Sequence, residues 1–337
     1  MATRSARNHS YVSQRSIYDE RYAAGRYDHR SAVPVLTAER AALRAAMNRT
    51  IHSNPDAARI SLLDFGYGTG RVTNELITGY AREYTVAKNL RVVAYDVSSV
   101  GLRKAQEALC GAGFASKKPF AWMPDSTTGY IAGSVYKGEA DRTVTVVFVH
   151  ACEGESPEAM SQLALLANGG DPYLLTTSWY SGLGHVPGEN LRREYFYRLG
   201  ALTAWDGEIV LAVSATGDLA ELQPEWSKKL ASGATGDFPV EMPGDVVYDT
   251  ELGQPNFYHV FSTELNGYMS AISEGRHWWV EGIRYPGEEF ASREAEQANY
   301  DLVRKANEAK RNRDWDEADY REFHTVAARR SPMKPYE

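Results

Sequence analysis

The stretch "DFGYGTGR" sets an acid, Asp64, ahead of Gly66, Gly68 and Gly70 at every second position. An acid that ends an apolar run and opens onto such a turn lets a ligand approach bare backbone, because glycine lacks Cβ and tolerates positive φ. A dinucleotide fingerprint would need glycine at 71 or 73, where Arg71 and Thr73 stand, and no Gly-Lys-Ser/Thr phosphate loop follows. The turn therefore reads as a cradle for something other than a pyrophosphate. A second acid, Asp96, closes the next apolar run "LRVVAYD" and is followed by Val97 and a Ser98/Ser99 cap. A third, Asp125, stands with Ser126 in "PDSTTG", a stretch that equally has the composition of a turn.

Further candidates lie in "HACEGES" and "SWYSGLGH". His150 is available as a base for a phenol or amine, or as a histidine satisfied within the core. Glu153 suits an anchor for a cationic amine, or the acidic start of a helix. Trp179 and Tyr180 offer faces to a cation or a stacked substrate, or packing beneath a cap. His185, His259 and His277 are scattered without metal-ligand spacing, so no metal is expected. No G-x-S-x-G turn supplies a serine nucleophile.

The elements that must position these residues follow from periodicity. Thr37 to Ile51 reads as a helix with Leu43, Met47 and Ile51 on one face. "ISLLDFGYGTGRVTNELITGY" reads as strand, turn and helix, and "LRVVAYDVSSVGLRKAQEAL" repeats the theme. "PFAWMPDS" is a weaker strand, whereas the β-branched "TVTVVFVHA" has the pattern of one buried on both faces. "ESPEAMSQLALLANGG" carries Ser156 as cap, Pro157 in the first turn and Gly169 as terminator. "PYLLTTSWY" follows as a strand, and alternation of this kind predicts a parallel sheet covered on both sides. From about 181 to 258 the alternation breaks down, which reads as an insertion capping the sheet's working edge. "STELNGYMSAISE" then reads as a helix and "RHWWVEGIRY" as a strand. A charged helical insertion is expected over about 291–318, and "YREFHTVAARR" closes the chain as an edge strand.

Composition narrows the class. With 337 residues and a formal net charge of −7, the chain is unlike a general nucleic-acid binder, which is basic over its binding face. Its two cysteines, Cys110 and Cys152, form no pairing framework, which points to a reducing cytoplasm. No apolar run reaches membrane-spanning length. The 21 tyrosines and 7 tryptophans are enough to line an aromatic pocket.

The Asp64 to Gly70 loop, with an acid ending the second strand, resembles the class I (Rossmann-like) S-adenosylmethionine-dependent methyltransferase family. The resemblance runs from Ile60 to Ser178 and again from Phe257 to Arg329. It implies an α/β fold, a doubly wound seven-stranded sheet of order 3-2-1-4-5-7-6 with the last strand antiparallel. It also implies a lid over residues 1–36 and a methyltransferase-like domain over 37–337. The family's roles would give Asp64, Gly66, Gly68 and Gly70 the methionine and ribose part of S-adenosylmethionine. Asp96 and Val97 would take the ribose hydroxyls, Asp125 and Ser126 the adenine, and His150, after the fourth strand, the methionine end. In the lid, Tyr18, Tyr22 and Tyr27 would offer faces to the sulfonium or an aromatic ligand, while Arg26 or Arg30 would pair with the cofactor's carboxylate.

The implied activity is methyl transfer to a small-molecule amine or phenol in specialised metabolism, by in-line displacement, with His150, Glu153 and Tyr180 as catalytic candidates. The expected protein is cytoplasmic, a monomer or homodimer, without metal, membrane or nucleic acid. A second reading keeps the cofactor as sole substrate and cyclises it to azetidine-2-carboxylate with release of methylthioadenosine. A third treats the Arg/Tyr-rich N-terminus as an RNA-binding arm.

Overall fold

A computed structural model of the chain describes residues 15–25, 33–83, 88–116, 130–139, 142–150, 156–179, 182–214, 240–249, 255–261, 264–273 and 323–329. The central strand β1 (Arg59–Phe65) is buried at every position but its first. It pairs in parallel with β2 (Asn89–Asp96) on one side and with β6 (Tyr173–Ser178) on the other. Strand β5 (Arg142–His150) continues the parallel block beyond β2, and β7 (Thr203–Ser214) continues it beyond β6. Three antiparallel additions complete the eight-stranded sheet: β3 (Ala115–Ser116) and β4 (Tyr130–Glu139) beyond β5, and β10 (Phe323–Arg329) beyond β7.

Alternating side chains on these strands feed two cores. Leu62, Val92 and Val146 face one layer of helices: α2 (Val33–Ser53), α3 (Thr73–Glu83) and α4 (Ser99–Gly111). Leu63, Val93 and Val147 face the other: α5 (Pro157–Ala167), α6 (Glu189–Leu202) and α7 (Glu264–Ser273). The result is a Rossmann-like α/β sandwich. The serine caps act as the sequence suggests. Ser98 accepts from Gly101 N–H at 3.0 Å and Ser156 from Ala159 N–H at 3.2 Å, each satisfying a donor at a helix start. No helix among the described residues is long and apolar enough to cross a membrane.

Several expectations are corrected. The strand ending at His150 is third, not fourth, in the parallel order, and the strand ending at Ser178 takes the place beside β1. The β-branched run of β5 is buried on both faces and pairs with β2 residue for residue, from Leu90 opposite Val144 to Asp96 opposite His150. The weaker strand expected at "PFAWMPDS" and the strand "RHWWVEGIRY" lie outside the described residues, as does the helical insertion over 291–318. The supposed cap over 181–258 is in large part sheet and helix. Ile209 to Val213 are buried within β7, and α6 packs against α5 and α7. Outside that framework stands a two-stranded hairpin of β8 (Asp245–Asp249) and β9 (Pro255–His259). Helix α2 starts at Val33, a turn before Thr37 and inside the segment expected as lid.

Candidate active site

The carboxyl ends of β1, β2 and β6 open into a cleft of about 950 Å³, measured out to its mouth. Asp64 sits on its floor between Ala94 of β2 and Thr177 of β6. One carboxylate oxygen accepts from the Thr73 hydroxyl. The other has no hydrogen-bond partner among the described residues, with the Thr177 hydroxyl nearby and 3.3 Å from the Leu63 carbonyl. Burial pushes the Asp64 carboxyl up to about 7; the Thr73 and Thr177 hydroxyls oppose the shift and the charge of Asp96 adds to it.

The glycine turn leaves β1 by bending onto β2, with the N–H groups of Gly66 and Tyr67 both donating to the Tyr95 carbonyl at 2.9 and 3.0 Å. Gly66, Gly68 and Gly70 all have positive φ, at 80°, 55° and 73°. At Gly68 there is a second constraint, since a Cβ would lie 2.5 Å from the Tyr22 hydroxyl oxygen. Beside the turn, Asp96 accepts from Gly68 N–H on one oxygen and from Ser98 N–H on the other, both at 2.7 Å. Burial raises its carboxyl to about 6 despite the Ser98 and Gly68 N–H groups; the charge of Asp19 raises it further, and the Val97 N–H opposes. Val97 lines the cleft as well.

A helix over 15–23, α1, closes one side. Its buried positions Ile17, Tyr18, Arg21 and Tyr22 follow helical spacing and share one face. Tyr18 and Tyr22 line the cleft, while Ile17 packs with Val247 and Phe257 of the hairpin. Asp19 ties this helix to the turn after β2, accepting from Ser98 Oγ at 2.6 Å and Val100 N–H at 3.1 Å. Trp179 and His185 also line the cleft, the latter on a 3-10 turn (Gly182–His185) after β6. The Trp179 indole N–H is buried without a partner among the described residues. The His185 ring meets Tyr18 edge-on at 5.4 Å and Tyr258 at 4.8 Å.

Of the residues singled out in the sequence, Tyr18, Tyr22, Asp64, Gly66, Gly68, Asp96, Val97 and Trp179 meet around this cleft, and Gly70 supplies the positive-φ corner that returns the turn toward α3. His150 does not join the cleft lining. It ends β5, and its Nε2–H donates to the Val97 carbonyl at 2.9 Å, bracing the turn behind Asp96. Burial and the charge of Arg15 bring the ring down to about 4, with the Val97 bond opposing. Arg26, Tyr27, Arg30, Asp125, Ser126, Glu153 and Tyr180 lie outside the described residues. Sequence reasoning missed Asp19 and His185, whose partners lie far away in the chain. Among the described residues no group of three His, Cys, Asp or Glu is placed to hold a metal ion.

No family model and no curated protein matches the chain. Among solved structures it is similar to the Burkholderia thailandensis 1,6-didemethyltoxoflavin-N1-methyltransferase, at 15% identity over 96% of this chain and 90% of that one, TM-score 0.46. It is also similar to a S-adenosylmethionine-dependent methyltransferase from Methanosarcina mazei, at 12% identity over 83% of this chain and 96% of that one, TM-score 0.40. A third, from Clostridium acetobutylicum, shows 13% identity over 85% and 89%, TM-score 0.42.

Proposed function

We propose that the protein binds S-adenosylmethionine in this cleft and transfers its methyl group to a small-molecule acceptor. The observation that carries the reading is the framing of a positive-φ glycine turn by two buried carboxylates, Asp64 and Asp96, in a cleft that holds unpartnered polar atoms. Leaving a buried acceptor or donor unpaired costs about 1–3 kcal/mol, so each is a place where a ligand's polar group is recovered as binding energy. Asp64 offers its unpartnered oxygen to an ammonium, and Trp179 its unpartnered N–H to a carboxylate. Those are the two ends of an amino acid. Asp96 retains lone pairs beyond the two backbone bonds for a ribose diol. Tyr18, Tyr22, Tyr95 and Trp179 supply aromatic faces to a sulfonium.

When bound, the sulfonium would supply a methyl group open to in-line displacement by an acceptor's lone pair. The chain's own part is to bind, to orient and to exclude water. Orientation accounts for much of the rate in such a displacement, which explains why the sequence advertises binding residues more loudly than catalytic ones. The aromatic lining and the α1 cover favour a small molecule over a polymer.

Calorimetric titration with S-adenosylmethionine and its demethylated product tests the reading. Binding of both is expected, weakened roughly 10- to 100-fold in Asp96→Ala by loss of charge-assisted hydrogen bonds. A wild-type protein that binds neither would refute it.

A further inference from the structure

His185 is held in a single useful tautomer. Its Nδ1 lies 2.9 Å from the Phe257 carbonyl oxygen, which can only accept, so Nδ1 carries the hydrogen. In the neutral ring Nε2 is then a bare lone pair. That atom takes part in no hydrogen bond among the described residues, and the ring is part of the cleft wall. Two aromatic neighbours, Tyr18 and Tyr258, fix the ring plane from α1 and β9. The cleft thus contains an oriented proton acceptor that cofactor binding does not consume.

We propose that His185 is the base that receives the acceptor's proton, and that the acceptor is an aromatic hydroxyl compound seated among the rings of the cleft. This rests on the methyl-transfer reading and names its substrate class. The electron count closes. A hydroxyl oxygen lone pair forms the new O–CH3 bond, the electrons of the broken S–CH3 bond remain on sulfur as a neutral thioether, and the O–H proton moves to Nε2. Release of product lets Nε2 return that proton to solvent.

The basicity of the ring agrees with a hydroxyl. Burial pushes His185 down to about 4, with the Phe257 carbonyl opposing and the charge of Arg21 adding. The ring is therefore neutral at physiological pH but a weak base. It takes a proton only from a group that the reaction makes strongly acidic. A hydroxyl becomes such a group as its oxygen gains a methyl, whereas a methylated alkylamine would keep its proton. The charged and titratable groups facing the ring are Tyr18 and Arg21 from α1 and Tyr258 from β9.

The test uses the full chain with 15N-labelled histidine, saturated with S-adenosylhomocysteine, and 4-nitrophenol as probe. Expected are an Nδ1–H tautomer of His185 at pH 7, an Nε2 resonance that moves when the probe binds, and probe affinity roughly two- to tenfold weaker in His185→Asn. That variant keeps a donor for the Phe257 carbonyl, and its affinity for S-adenosylhomocysteine should match wild type. An Nε2–H tautomer, an Nε2 resonance indifferent to the probe, or no binding of the probe overturns the proposal while leaving methyl transfer standing. Failure of wild type to bind S-adenosylhomocysteine overturns both. If His185→Asn does not fold, the tautomer and the probe-induced shift in wild type still decide.

Discussion

Asp19 and Ser98 meet through a 2.6 Å hydrogen bond from the Ser98 hydroxyl to the Asp19 carboxylate. Ser98 is already committed twice, donating its N–H to Asp96 and accepting from Gly101 N–H as the cap of α4. Asp19 adds a further acceptor for Val100 N–H, so one side chain of α1 shares in capping a helix that follows β2. The cover and the floor of the cleft are therefore joined beside Asp96.

Removing that joint should loosen the cover without unfolding the sheet. Asp19→Ala leaves the Ser98 cap in place, so α4 keeps its start, but α1 loses its hydrogen bonds to Ser98 and Val100. A lost cap is worth about 0.5–2 kcal/mol. Affinity for S-adenosylhomocysteine should fall roughly 2- to 30-fold, and amide exchange over 15–23 should speed up while β1 and β2 stay protected. Unchanged exchange in α1 would show that Tyr18, Tyr22 and Ile17 seat the helix by packing alone.

The two cleft carboxylates make a prediction about pH in which stability and binding move in opposite directions. Asp64 and Asp96 rise from 3.8 to about 7 and about 6, in both cases chiefly by burial. Between those limits the folded protein holds more protons than the unfolded chain, so stability from these groups is present below pH 3.8 and falls as pH rises through 6 to 7. Binding of a cationic ligand needs the ionised acids and should strengthen over the same range, by up to roughly tenfold per pH unit and per group below its pKa. Titration calorimetry with S-adenosylmethionine from pH 5 to pH 8, beside thermal melts of the free protein, reads both. An affinity that is flat across this range would mean that neither the Asp64 nor the Asp96 carboxylate contacts the ligand.

How much of this was legible in the sequence depends on how far each partner lies along the chain. The floor of the cleft was plain, because Asp64, the glycines and Asp96 end strands whose apolar runs are continuous. Helices α4 and α5 were marked by serine caps, and α5 also by the Gly169 stop, signals that act within a few residues. Strand neighbours were not legible. The run ending at His150 has the pattern of a buried strand wherever it sits, and only its register with β2 places it third. Strand β7 was hidden by the surrounding tryptophan, glycine and proline, although Ile209 to Val213 form an unbroken apolar run. Asp19 and His185 bond to partners 81 and 72 residues away, a distance at which no periodic signal survives.

The hairpin that supplies the Phe257 carbonyl is fastened by buried charge, and that fastening should fail in acid and under mutation. Arg192 of α6, fully buried, donates to the Asp245 carboxylate at 3.2 Å and to the Val186 carbonyl at 2.8 Å. His259 bridges Asp245 at 2.7 Å and Glu264 at 3.0 Å, so β8, β9 and α6 converge on the Asp245 carboxylate and α7 joins them through His259. Burial alone would raise Asp245, but the His259 bond, the Glu241 N–H and the charge of Arg192 outweigh it and hold the carboxyl below its ordinary value. Its stabilisation is present above pH 3.8 and is lost as pH falls through the lowered folded value. Asp245→Asn leaves Arg192 buried without its counter-charge and should cost about 3–5 kcal/mol. Glu264→Gln removes a partly exposed partner and should cost less than about 1 kcal/mol. Urea melts of the two variants decide between a shared network and separate contacts, because equal losses would place the energy in packing and not in Asp245. The same melts at pH 3 should narrow the gap between wild type and Asp245→Asn, since below pH 3.8 the unfolded wild-type chain takes up a proton at Asp245 and the advantage that the variant already lacks shrinks.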